Sequence, residues 1–306
     1  MAPSPSRRDQ LWAYLQLVRP ANTVTALADV LAGFAASGMA LGLDGWSGSA
    51  PLQALPWLLL ATTGLYGGGV VFNDVFDAAV DARERPERPL PSGRASRRGG
   101  ALVGGGLLLV GIVAAAQVSA LSGGLAAAIA LAALLYDAAG KHHVLLGPLN
   151  MGLCRGGNLL LGVSAVPALV PDLWFLALIP VAYVAAITAV GQGEVRGGTR
   201  RTGLLALTLI VLVVGSLLLL GLRPAYAALS ALPFALLFAG QTLPAFVKAT
   251  RNPAPAPIQD AVKAGVLALV PLDAALAAGF GGWPYGLVVL LLLPVSRGLA
   301  RLFAVA

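Results

Sequence analysis

Three side chains with oxygen donors, Asn73, Asp77 and Asp81, stand four residues apart, and six arginines follow them between Arg83 and Arg98. At 3.6 residues per turn, this i, i+4, i+8 spacing predicts one helical stripe whose members lie ~6 Å apart along the axis. Such a stripe suits Mg²⁺ in phosphate chemistry. The ion keeps several waters, takes one or two carboxylates from protein, and completes its shell with phosphate oxygens. Asp74 falls about a quarter turn off the stripe, where it can partner a ligand. A solvated helix end that caps itself and balances the arginines accounts for one or two acids, but not for a regular series. The 21 residues before the stripe, Leu52–Phe72, carry no charge. An acid at the centre of a membrane helix costs ~2.5–3.5 kcal/mol, and the cost shrinks toward the interface where this motif falls.

The elements that must hold these residues are membrane helices. Of 306 residues, 58% are hydrophobic and 11% charged, with a mean hydropathy of +0.84. That composition excludes a soluble globular protein. Apolar runs long enough to span a bilayer recur at Val18–Leu41, Leu52–Phe72, Gly99–Ser119, Leu121–Asp137, Leu145–Val166, Leu173–Gln192, Gly203–Leu222, Ala225–Val247, Ile258–Gly279 and Tyr285–Phe303. The expectation is one all-α, polytopic domain over residues 1–306. It has nine or ten spans, depending on whether the last two runs are separate helices, and residues 1–17 form a short cytoplasmic segment. With the N-terminus inside, all but two of the 20 Lys and Arg fall on the cytoplasmic side, leaving Arg223 outside and Arg155 within a span. This alternation follows the positive-inside rule, so the net charge of +7 implies topology and anionic lipid or phosphate, with no nucleic-acid partner. Cys154 is the only cysteine, which excludes an internal disulfide. No cleavable signal peptide is evident in the first run, interrupted by Asn22, Thr23 and Asp29. The arginine-rich, alanine- and glycine-rich composition points to a GC-rich bacterial source and thus to a bacterial cytoplasmic membrane.

Polar residues gather at the ends of even-numbered spans, all on the predicted cytoplasmic side: Asp77 and Asp81, then Tyr136, Asp137 and Lys141, then Gln192, Glu194 and Arg196. Asn73, Asp77 and Asp81, followed by Arg88-Pro-Leu-Pro-Ser-Gly-Arg94, resemble the first Asp-rich motif of the UbiA superfamily of membrane prenyltransferases. Arg19-Pro20-x-Asn22 and the Tyr136…Lys141 corner extend the resemblance, and Gly147–Asn158 is similar to the EboC-like subgroup. The resemblance implies a helical bundle around a cavity, in which two polar corners hold Mg²⁺ against an isoprenyl diphosphate while an acceptor attacks the allylic carbon. On that pattern Asn73, Asp77 and Asp81 bind Mg²⁺–diphosphate. Tyr136, Lys141, Arg88 and Arg94 bind the substrate, and Arg19 and Asn22 lie near the diphosphate or the acceptor.

The second corner departs from the family pattern of two aspartates. Here Gly191-Gln-Gly-Glu194-Val-Arg196 offers one carboxylate, with Arg196, Arg200 and Arg201 around it. Either the arginines clamp phosphate in place of a metal, with Glu194 orienting them or holding an ion as a catalytic acid, or the site binds a phosphate-bearing lipid without chemistry. Arg155 is charged inside a span beside Asn150 and Asn158, and a substrate-facing role is expected for it. Asp29 and Asp273 are lone acids, each expected to pair structurally with an arginine, with contact to an acceptor as the alternative. His142 and His143, adjacent in sequence, do not share a helix face and are not expected to bind metal. The leading function is Mg²⁺-dependent transfer of an isoprenyl group from its diphosphate to a small aromatic or lipid acceptor. The alternative is a binder or transporter of a phosphate-headed lipid or secondary metabolite.

Overall fold

The computed structural model describes residues 6–38 and 50–303. The described chain is helical, with α1 (Arg7–Val18), α2 (Pro20–Ala36), α3 (Ala50–Glu84), α4 (Arg97–Ala116), α5 (Ala120–Ala138), α6 (Leu146–Val163), the single turn α7 (Val170–Leu173), α8 (Leu178–Gly191), α9 (Arg200–Leu220), α10 (Ala228–Arg251), α11 (Pro255–Leu290) and α12 (Leu292–Phe303). Seven stretches among these residues are long and apolar enough to cross a bilayer, so the protein is an integral membrane protein. The last of them, Pro255–Phe303, has 49 residues and breaks at Gly282, whose φ of 80° suits glycine. Beyond the break the chain returns along α2. The Tyr285 hydroxyl donates to the Leu31 carbonyl (3.3 Å) and that of Ser296 to the Ala21 carbonyl (2.9 Å). The last two predicted runs are therefore two antiparallel passes.

Two large apolar clusters divide the bundle, with a smaller third where α1 meets α3. One of the large pair is built mainly from α3–α6 and the other from α8–α11, and α2 contributes to both. Helices α2 and α6 touch backbone to backbone. A Cβ on Gly33 would strike the Leu159 carbonyl oxygen, and one on Gly162 would strike that of Val30. Small residues at such a crossing let two helices approach closely where the solvent is lipid and no hydrophobic drive exists.

The N-terminal run does not continue as a single helix. It breaks at Arg19, the only non-glycine residue with positive φ among those described (φ 48°, ψ 65°). Pro20 explains the break. Proline disfavours helical geometry in the residue before it and is favoured at the first position of a new helix. Ahead of the break lies α1, within the span predicted as a short segment, closed by a reciprocal Ser6–Asp9 capping box. The Ser6 bonds hold the Asp9 carboxyl below its usual range. Likewise α8 starts five residues later than its predicted run, because Pro167–Ala177 is taken up by short turns.

Candidate active site

Helix α3 extends without interruption through the polar motif, which distributes its acids to two neighbours. Asn73 donates to Asp137 at the end of α5 (2.8 Å), and Asp77 pairs with Lys141 just beyond it. Asp81 instead receives Arg88 (2.8 Å), which also reaches Asp74 (3.5 Å), and Asp74 binds Arg19 as well. The predicted stripe thus splits. Eight residues overshoot two turns by about 80°, whereas seven fall short by about 20°, so Asp81 shares a face with Asp74 and not with Asn73. Asp74 is buried and ties the Arg19 break to the arginine loop, a larger role than its off-stripe position suggested.

The loop between α3 and α4 is ordered by the same arginines expected to meet substrate. Arg94 donates to Gln16 Oε1 (3.0 Å), to the Glu87 carbonyl (2.7 Å) and to Ser92 (3.0 Å). Gly93 makes the turn with φ 74°, and Ser96 caps α4 through the Gly99 amide. Arg88 keeps 18% of its side chain exposed and Arg94 is spent on holding the loop.

Below this corner lies a cavity of about 330 Å³ between α3, α5 and α6. Leu65, Val70, Ile129, Ala133 and Met151 make its apolar wall. Arg19, Asn73, Tyr136 and Asp137 stand at one end, while Thr62, Tyr66, Arg155 and Asn158 contribute further polar groups. A second hollow of about 220 Å³ contains Gln16, Asn22, Asp74, Arg88 and Phe303, and Arg19 lines both. Arg155 and Asn158 lie side by side as expected, and both also hold α2. Arg155 pairs with Asp29 (3.0 Å) and donates to the Thr25 carbonyl (3.1 Å); Asn158 donates to Ala26 (2.7 Å) and to Asp29 (2.9 Å). Asp29 is accordingly paired, as expected, whereas neither carboxyl oxygen of Asp273 has a hydrogen-bond partner. Asn150 is not among the lining residues; its carbonyl faces the Cys154 thiol (3.7 Å). The ring of His143 accepts the Leu145 and Leu146 amides at the start of α6.

The second corner is a glycine turn. Gly197 adopts φ 85°, and the Gly198 amide bonds the Pro253 carbonyl (2.9 Å). Glu194 is half-buried, and burial pushes its carboxyl above the usual range against the opposing pull of Arg85 and Lys263. Arg85 belongs to the α3–α4 loop. Arg196 and Arg200 are exposed and line neither cavity beside the first corner. Asp137, Tyr66 and Thr62 were missed as site residues. Tyr66 and Thr62 were legible in principle, since positions 62, 66 and 73 share one helical face.

No three acids, histidines or cysteines converge as a ready-made metal cage among the described residues. The donor set still fits Mg²⁺, which needs only one or two protein carboxylates beside phosphate and water. Asp77, with 26% of its side chain exposed, is the open carboxylate, and the Asn73 carbonyl oxygen lies one turn away.

Residues 31–256 match the model of the UbiA prenyltransferase family, and the chain belongs to that family. It is 32% identical over 166 residues to digeranylgeranylglyceryl phosphate synthase from Methanopyrus kandleri, covering 54% of this chain and 58% of that one. The same-named protein from Methanothrix thermoacetophila is 33% identical over 155 residues, 50% of this chain and 55% of its own. The chain thus spans a little over half the length of the curated relatives it matches. In fold it is similar to a UbiA homologue from Archaeoglobus fulgidus bound to GPP and Mg²⁺, with a TM-score of 0.66 and 19% identity over 91% of this chain and 99% of that one. A homologue from Aeropyrum pernix superposes with a TM-score of 0.65 and 15% identity, over 83% and 96%.

Proposed function

We propose that the protein transfers an isoprenyl group from a prenyl diphosphate to a hydrophobic acceptor, with Mg²⁺ at the first corner and that corner on the cytoplasmic face. The reading is carried by the cavity that opens beneath Asn73, Asp137 and Tyr136, polar at one end and apolar along its wall. A molecule with an anionic head and a greasy tail fits that distribution. Asp77 and the Asn73 carbonyl would hold Mg²⁺, with Asp81 joining if Arg88 turns to the diphosphate. When bound, the ion supplies Lewis-acid neutralisation of the leaving diphosphate.

The chain's own groups do the rest. Lys141, only 11% exposed, donates to diphosphate oxygens beside Asp77, and Tyr136 lines the same end. Arg19 lines both hollows and is oriented by Asp74, so one guanidinium can contact the donor and the acceptor. The left-handed backbone at Arg19, a strain of order 1–3 kcal/mol, is what aims it there. The apolar wall shields the allylic carbon from water until the acceptor reaches it. The Methanopyrus and Methanothrix relatives favour a glycerophosphate-type lipid as acceptor, with a small aromatic second.

The observation that favours a binder without chemistry is the second corner, with its single half-buried carboxylate and exposed arginines. The two readings separate when purified protein is incubated with radiolabelled prenyl diphosphates, Mg²⁺ and a membrane lipid extract. Labelled, chain-extended lipid or phenol with release of pyrophosphate is expected. Tight binding of the diphosphate with no product on prolonged incubation would leave the binder as the correct description.

A further inference from the structure

The cavity has a second polar patch, deeper in the bundle than the diphosphate corner. Thr62 is 1% exposed and lines the cavity, yet its hydroxyl has no hydrogen-bond partner. A threonine inside a helix ordinarily returns its hydroxyl to the carbonyl four residues earlier. Thr63 next to it does so, donating to Leu59 at 2.7 Å. One turn along, Tyr66 lines the same wall. Arg155, 6% exposed, completes the patch from α6. A buried hydroxyl left unpaired costs about 1–3 kcal/mol, so a residue of a cavity wall that carries one gains by turning it to a partner from outside the chain.

We infer that Thr62, Tyr66 and Arg155 form an oxygen-recognition site inside the cavity, which seats an uncharged oxygen, a carbonyl or hydroxyl, of the acceptor. The inference rests on the proposed transfer reaction and narrows its acceptor. Depth excludes the diphosphate. Tyr66 lies seven residues from Asn73 on one helix, about 10 Å along the axis, and Thr62 about 16 Å. Charge excludes a second phosphate or a carboxylate. The Arg155 guanidinium is already matched by the Asp29 carboxylate at 3.0 Å. What the patch still offers is hydrogen-bond donors without spare positive charge. An apolar prenyl tail gains nothing from such donors, whereas a carbonyl or hydroxyl oxygen meets them at the cost of little desolvation.

The test uses the full chain in detergent and three probes of one shape: naphthalene, 1-naphthol and 1-naphthoate, with affinities from equilibrium dialysis. The expected result is 1-naphthol bound about tenfold more tightly than naphthalene, the size of one well-made hydrogen bond. Thr62→Val and Tyr66→Phe, each nearly isosteric, should each shrink that preference several-fold while naphthalene affinity holds; two separate variants keep the test alive if one misfolds. Equal binding of naphthalene and naphthol, tightest binding of naphthoate, or a preference that survives both variants would overturn the assignment. Geranyl diphosphate binding with Mg²⁺ to the unmodified chain is measured alongside. Its failure counts against the transfer reaction, and the naphthol preference is read independently of it.

Discussion

The two corners of this bundle handle charge in opposite ways. At the first, each acid has a named partner: Asp77 has Lys141, Asp81 has Arg88, and Asp74 has both Arg19 and Arg88. These pairs join four segments, α3, the loop after it, the α1–α2 break and the end of α5. At the second corner Glu194 stands half-buried in a glycine turn, its backbone carbonyl held by Gln259 (3.1 Å), while Arg196 and Arg200 point to solvent. The first corner is thus a preorganised network, which the proposed metal and diphosphate would enter by exchanging partners. The second is a short polar turn with exposed cations beside it. Preorganisation of this kind, and not the count of charges, distinguishes a site from a charged surface.

The comparison breaks most severely if the first network is dispensable. Arg88→Ala leaves Asp81 and one side of Asp74 buried without their cation, and the expected loss of stability is on the order of 3 kcal/mol. A thermal melt in detergent measures it; a melt unchanged from the parent would mean these pairs are ornamental. Next in size, Lys141→Ala should weaken geranyl diphosphate binding by about tenfold, since one charge-assisted hydrogen bond is worth roughly 1.5–3 kcal/mol.

A smaller effect probes the second corner. Arg196→Ala should lower diphosphate affinity by a few-fold and only at low salt, because an exposed cation is screened. Arg223→Ala, over the Phe175 ring beyond the far end of α9, should do nothing to it. Equal losses would deny the second corner any part. The smallest effect is at Glu194. Its carboxyl is raised by burial, so the folded state holds a proton more tightly than the unfolded chain, and stability falls as pH rises through the raised value. Glu194→Gln removes that fall, giving a slightly higher melting temperature at neutral pH and no difference below the carboxylate range. A variant that melts lower at neutral pH would show that the charged form of Glu194 is the one the fold uses.

The fold was read well wherever a single helix carried its own signal. The uncharged Leu52–Phe72 run and the acids after it do form one helix, and the last two runs are two passes. The apolar composition and the family resemblance also led to the right class. What escaped was everything that depends on how helices rotate against each other. Nothing in the spacing shows that Arg19 meets Asp74 across 55 residues, or that Asn73 bonds Asp137 across 64. Asp81 was assigned to the metal stripe by counting fours, although its azimuth puts it with Asp74 and Arg88. Asn150 was grouped with Arg155 by proximity in sequence, but the helix turns it toward Cys154. Thr62 and Tyr66 lay within an apolar run and were read as span, because hydropathy averages over a lone hydroxyl.

The central claim is that Asp77 opens onto a site for Mg²⁺ and prenyl diphosphate. Calorimetric titration of geranyl diphosphate into the protein, with and without Mg²⁺, and into Asp77→Asn tests it. Mg²⁺-dependent binding is expected, weakened in Asp77→Asn by at least the roughly 10–100-fold typical of losing an outer partner of a metal ligand. Binding of equal strength in the variant, or binding indifferent to Mg²⁺, would contradict it.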